Sequence, residues 1–278
     1  MRIDKSGPQN LNGRFKDNLL KSTGENLQSH EGAQSIHRAI TILRTVAKNN
    51  DSGARLSKIV RDVEVPTTTV HRILSVLVSE GFLTHNSASK LYHIGIELYS
   101  LGSVAHQFTI RDRLHATLER IAEQAEDTTY LVIQSGNEGI CIDRVIGKFP
   151  VQVLGFEVGQ CRPLGVGAGN QALLAFLPDD QVKTAIVSNA PHFSNFSNMS
   201  TDDIWKSVQF ARKTGYSVSN RKITPNTIGV GVPVRNEKGI VVAAISVSAI
   251  ARRMKAERRK EIANLIISEI ATVEPRTV

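Results

Sequence analysis

LSKIVRDVEVPTTTVHRILSVLVSEGFL, residues 56–83, holds two helical patterns separated by one sharp break. In the first, Ser57 stands where an N-cap belongs, and Ile59, Val60 and Val63 form an apolar side. Glu64-Val65-Pro66 then interrupts the helix, because a residue before proline resists helical geometry. The second pattern starts at Thr67 or Thr68. Val70, Ile73, Leu74 and Leu77 recur at the spacing of one buried helix face. Thr68, Thr69, His71, Arg72, Ser75 and Ser79 form the other face, and Gly81 supplies the stop.

Upstream, Ser35 is the expected cap of a helix whose core side is Ile36, Ile40, Leu43 and Ala47, halted by residues 49–53. Downstream, Phe82–Thr84 and Leu91–Ile94 read as two short strands around a polar turn. The order helix, helix, turn, helix, hairpin predicts a winged helix-turn-helix over residues 34–94. A helix enters the major groove of double-stranded DNA only if one face is braced and the other offers short polar donors. Thr67, Thr68 and Thr69 place hydroxyls and free N–H groups at the helix start, where phosphate is held. His71, Arg72 and Ser75 follow within reach of base edges. Lys58 on the preceding helix, and Lys90 and Tyr92 on the wing, are the expected flanking contacts.

Charge supports that reading. The chain has 278 residues and a net charge of +8, which admits an anionic partner. Residues 35–94 hold eight Lys and Arg against four Asp and Glu, so +4 (8 − 4) lies in this stretch. A plain three-helix unit with a polar surface is the alternative, and Arg72 then pairs with Asp62 or Glu80.

The length suggests two domains, and 41% hydrophobic residues suffice for both cores. Residues 1–33 read as a flexible arm, 95–108 as a linker helix, and 109–278 as an α+β domain with a mainly antiparallel sheet. In this last part, Thr128–Ser135, Gly139–Ile146 and Val151–Phe156 read as strands, as do Thr227–Val234 and Gly239–Ser248. Helices are expected at Asn170–Leu177, Asp179–Ser188, Thr201–Thr214 and near residues 255–272.

No apolar run is long enough to span a membrane, and the first residues lack the apolar core of a signal peptide. Two cysteines without a CxxC pair fit a reducing cytoplasm. Cys141, in an alternating apolar strand, reads as a buried thiol. No HExxH, GxxxxGK[ST] or zinc spacing occurs, so no metal or cofactor is expected. Arg162–Asn170 superficially suggests a dinucleotide loop, but Asn170 stands where the third glycine belongs. The basic run Arg252–Lys260 opens the last helix against the helix dipole, so a nearby carboxylate partner is expected.

Glycines before a helix let backbone approach a ligand, and the helix start offers N–H groups to an anion. Ser246 and Ser248 alternate with Ile245 and Val247, so both hydroxyls face one side of their strand. Gly229 and Gly231 alternate likewise. Hydroxyls and N–H groups converging in an apolar cavity suit a carboxylate with a hydrophobic body. The bland alternative is that the serines satisfy local backbone groups and the glycines make turns.

SIHRAITILRTVAKN, the opening stretch and LYHIGIELYSLG together resemble the isocitrate lyase regulator (IclR) family of bacterial transcription factors, and the likeness runs from Ser35 to about Ala271. The resemblance implies a GAF-like effector-binding second domain and a homodimer or homotetramer on an inverted-repeat operator, answering to a small organic acid as repressor or activator. It also implies effector contacts at Gly167, Ala168, Gly169, Asn170, Asn220, Gly229, Ser246 and Ser248. This chain departs from many members, which carry His-Ala-Ser/Thr at Gly165-Val166-Gly167 and Gly-Lys at Asn170-Gln171. Many also carry an acidic stretch at Asn220-Arg221-Lys222, and some a cysteine at Gly229. Smaller and less acidic walls point to a bulkier, more anionic effector, an aromatic or other hydrophobic carboxylate. The competing class is an enzyme that converts a small acid, with the winged helix as an interaction module. The sequence offers it no nucleophile–base pair.

Overall fold

The computed structural model describes residues 33–103, 109–196, 199–219 and 223–273. The expected arm lies outside these residues except for Ala33, as does Asn220. The chain divides into two compact units, residues 1–104 and 105–278.

In the first unit, α1 (Gln34–Ala47) is followed by a two-residue strand β1 (Ala54–Arg55), then α2 (Leu56–Val63) and α3 (Thr67–Ser79). The hairpin β2 (Leu83–Asn86) and β3 (Leu91–Ile94) and the helix α4 (Ile96–Ser103) complete it. β1 pairs with the outer side of β3, giving a three-stranded wing in the order β1-β3-β2. Asn50 ties the preceding loop to this wing, accepting the Ile94 N–H at 2.8 Å on its side chain. Glu64 adopts a left-handed conformation with φ of 52°, which ends α2 and makes the turn before Pro66.

The core of this unit joins Ile42, Val46, Ile59, Val70, Leu74 and Leu83. Each such side chain contributes roughly 1.5–3 kcal/mol when fully removed from water. The period of α3 is as expected, with Val70, Leu74 and Leu77 buried. That of α1 is not. Ile36 is 62% exposed and Ile40 39%, while Ile42, Thr45 and Val46 are buried. Neither expected serine caps its helix: α1 starts after Ala33 and α2 after Arg55.

The second unit begins with α5 (Thr109–Ala125) and the hairpin β4 (Thr128–Ser135) and β5 (Glu138–Val145). β6 (Cys161–Pro163), α6 (Ala168–Ala175), α7 (Asp179–Phe193) and α8 (Thr201–Thr214) follow. β7 (Ser217–Ser219), β8 (Thr227–Arg235), β9 (Val241–Ile250) and α9 (Ala256–Ala271) end it. One six-stranded sheet runs β6-β5-β4-β9-β8-β7, with every neighbouring pair antiparallel. Leu118, Ile121, Ile262 and Ile266 from α5 and α9 pack on one face against Leu131, Val230 and Val247. α6 lies on the other face, over β4 and β7–β9. Asp127, between α5 and β4, is 1% exposed at its side chain and bridges Arg253 at 3.2 Å and Arg258 at 3.1 Å. The basic run therefore finds its carboxylate partner, and Arg253 also lies over Phe149 at 3.8 Å.

Val151–Phe156 is not a strand. It runs as irregular chain over the sheet face that carries Thr128 and Tyr130, and the short strand that joins the edge is Cys161–Pro163.

Candidate functional site

On the winged helix, Thr67, Thr68, His71, Arg72 and Ser75 are exposed, while Thr69 and Lys58 are half-exposed. No side chain caps the start of α3, so its first N–H groups stay open to a phosphate. Arg72 has no ion-pair partner among the described residues, and Asp62 pairs with Arg61 at 3.6 Å instead. The Ser75 hydroxyl donates back to the His71 carbonyl at 3.0 Å, which leaves its lone pairs outward. Lys90 is exposed on the wing, in a left-handed conformation with φ of 58°.

Tyr92 is a correction. It is 8% exposed and belongs to the core of the unit, so it packs there and offers little surface to a nucleic acid. Alternation along β3 turns it inward, under the exposed His85, whose ring stacks on it at 4.4 Å. His85 is the aromatic group that the wing presents, and sequence reading passed over it because it looked like one residue of a polar turn.

In the second unit, strand register builds a cavity. Tyr130 pairs with Ser246 and Ser246 with Gly231, while Thr128 pairs with Ser248 and Ser248 with Gly229. Cross-strand partners share a sheet face, so these residues form two rows beneath α6. Gly231 brings α6 close: a Cβ there would sit 2.4 Å from the Ala168 carbonyl oxygen, which the Ser217 hydroxyl binds at 2.6 Å. Gly167, the residue before α6, has φ of 97°, a conformation open to glycine and strained for other residues. Between α6, the sheet and the 151–156 chain lies a cleft of about 520 Å³ of space free of atoms, its open mouth included.

Gly167, Ala168, Gly169, Asn170, Gly229, Ser246 and Ser248 all line this cleft. Ser246 is 5% exposed, and neither its hydroxyl nor that of Ser248 has a hydrogen-bond partner among the described residues. Asn170 does more for structure. Its amide donates to the carbonyls of Arg162 and Pro163 at 3.0 and 3.2 Å, fastening α6 to β6.

Sequence reading missed Arg162 as a wall residue. It lines the cleft at 9% exposure, with its guanidinium carbon 4.3 Å from the centre of the Phe156 ring. Its Nη2 donates to the Gly155 carbonyl, and its Nε has no partner. Burial lowers its pKa to about 10, which leaves it a cation at neutral pH. Tyr130, also in the wall, donates its hydroxyl to the Val153 carbonyl, and burial pushes it up to about 12. The irregular 151–156 chain thus spends its carbonyls on side chains instead of a strand ladder. Cys141 is buried and its thiol is pushed up to about 12, also by burial, so it is an inert group.

Residues 35–87 match the IclR helix-turn-helix domain, and residues 102–272 match the bacterial transcriptional regulator IclR C-terminal domain. The chain belongs to the IclR family. It is a DNA-binding, effector-binding transcriptional regulator of that family. KipR of Bacillus subtilis is 29% identical over 206 residues, covering 73% of this chain and 81% of the relative. The repressor AllR of Klebsiella pneumoniae is 27% identical over 232 residues, covering 83% and 85%. The crystal structure of Thermotoga maritima IclR matches 86% of this chain and 96% of its own with a TM-score of 0.67 at 25% identity. An IclR homologue from Microbacterium hydrocarbonoxydans, complexed with 4-hydroxybenzoate, matches 86% and 98% with a TM-score of 0.73. At 21% identity that likeness shows the fold of this IclR-family chain and nothing finer.

Proposed function

We propose that this IclR-family regulator binds an inverted-repeat operator as a homodimer or homotetramer, with α3 of each protomer in a major groove. Thr67, Thr68 and Thr69 hold phosphate there, while His71, Arg72 and Ser75 meet base edges. Lys58, Lys90 and the exposed His85 flank that contact. Residues 109–278 take a small organic acid in the cleft, through Gly167, Ala168, Gly169, Ser246 and Ser248. The segment 95–108 passes the change to the winged helix. Asn220 is carried as a cleft contact on the family resemblance alone.

The observation that carries this reading is the unpartnered pair Ser246 and Ser248 in the wall of a cleft on the same chain as a winged helix. The catalytic alternative finds no support in the cleft. Among the described residues, the His–carboxylate pair with tight geometry is His115 with Asp143 at 2.7 Å. Asp143 pairs with Leu131 and so faces α5, on the other side of the sheet. We read the protein as a regulator without catalysis, acting in the cytoplasm. Among the described residues no helix is long and apolar enough to cross a membrane.

Selection of bound fragments from genomic DNA, followed by affinity measurement at physiological salt, tests the function. A palindromic site bound at least about 1,000-fold tighter than random DNA is expected. Equal affinity for both defeats the proposed operator contact through α3 and leaves only non-specific DNA binding.

A further inference from the structure

We propose that Arg162 is the anion anchor of the cleft, making its ligand a carboxylate carried on a flat apolar body. The proposal rests on reading the cleft as the effector site. It goes further by naming the group that holds the charge and the chemistry that group demands.

A buried guanidinium without an acid partner is costly to keep, so proteins hold one where an anion arrives. Among the described residues no Asp or Glu forms an ion pair with Arg162. The groups that bear on its charge are Tyr130 and Cys141, and burial keeps both protonated at neutral pH. A Cβ on Gly167 would lie 3.9 Å from Nη1, so the guanidinium sits beside the start of α6. The partial positive charge of that helix end adds to the same pole. Two positive features in one buried corner repel each other until a negative group lies between them.

The orientation favours a carboxylate. The guanidinium lies over the Phe156 ring with Nη2 on the Gly155 carbonyl and Nε unpartnered, and the planar donor set of a guanidinium matches a planar anion. Val132, Val153, Val166 and Ile223 line the remaining wall, which suits an apolar body and excludes a strongly hydrated one. Ser246 and Ser248 remain for further polar contacts.

Calorimetry on the full chain tests this with acetate, benzoate, 3-phenylpropionate and 2-naphthoate, each titrated against its primary amide. At least one aryl acid binds about 100-fold tighter than its amide, because an anchored charge lost from a buried pair costs that much or more. Acetate binds weakest. Arg162→Met abolishes the acid–amide difference, and Arg162→Lys restores part of it. Without ligand, Arg162→Met melts at or above the wild type, since it removes a buried unpaired charge. If that variant does not fold, the acid–amide ratio in the wild type decides alone. Amides that bind as well as acids, or an Arg162→Met protein that still prefers acids, overturn the anchor. If no acid of the series binds at millimolar concentration, the cleft is not an effector site for such acids, and both readings fall together.

Discussion

Gly229 and Ser248 oppose each other on β8 and β9 so closely that a Cβ on Gly229 would lie 3.1 Å from the Ser248 Oγ. The same Cβ would meet the Ser219 Oγ at 2.9 Å and the Ala168 Cβ at 3.1 Å. The glycine is therefore part of the shape of the cleft. Gly229→Val is expected to fill it and weaken acid binding by about tenfold or more, since overpacking a built site costs on the order of 1–3 kcal/mol. Operator affinity without acid should stay within about twofold, because the wing and α3 lie in the other unit. Calorimetry and fluorescence anisotropy on the same preparation check both halves.

Arg72 and Tyr92 separate on the winged helix. Arg72→Ala should cost about 1–3 kcal/mol of operator affinity and relax the preference at one base pair. Tyr92→Phe should leave operator affinity unchanged, whereas Tyr92→Ala should destabilise the fold by about 3–5 kcal/mol, as truncating a buried aromatic does. Competition binding against single-base variants of the operator, with thermal melts of each protein, distinguishes reading from packing. A Tyr92→Phe protein with impaired DNA binding contradicts the burial of this residue.

Acid binding has a defined pH dependence. Burial depresses the Arg162 pKa to about 10, and only its cation attracts a carboxylate. Affinity should therefore be level through neutral pH. Above about 10, binding must be accompanied by proton uptake, and affinity should fall about tenfold per pH unit. Titrations in two buffers of different ionisation enthalpy detect that proton. Level affinity through pH 11 contradicts a role for the guanidinium.

Asp127 is held by Arg253 and Arg258 and is almost fully buried. Asp127→Ala leaves two guanidinium groups without their carboxylate and should destabilise the second unit by about 3–5 kcal/mol. Desolvation raises the Asp127 pKa, and the two arginines oppose that rise. Replacing the carboxylate together with both arginines by apolar residues should cost less than Asp127→Ala alone. Denaturant titration of the single and triple variants measures the difference.

The α3 pattern was legible because a helix buried on one side repeats its apolar residues with one period and one phase. In α1 the period was legible but the phase was not. Ile36 and Ile40 fit a helical stripe as well as Ile42 and Val46 do, and only packing against α2 and α3 selects the second stripe. Val151–Phe156 has strand-like composition, but strands form by pairing. Here Cys161–Pro163 takes the edge of β5, and the carbonyls of Val153 and Gly155 go to Tyr130 and Arg162. The serine and glycine rows of the cleft followed from alternation along single strands. Arg162 did not, because one arginine beside a proline looks like a surface residue until the chain that covers it is in place.

Regulation through this site requires that occupancy of the cleft change DNA binding by the winged helix. Its most direct measurement is the affinity of the full chain for its selected operator with and without a saturating aryl carboxylate found by calorimetry. A shift of about fivefold or more in operator Kd is predicted, matched by an equal shift in acid affinity when operator is bound. Arg162→Met should abolish the shift and keep the unliganded Kd. An operator Kd identical with and without saturating acid would mean that the cleft does not control DNA binding.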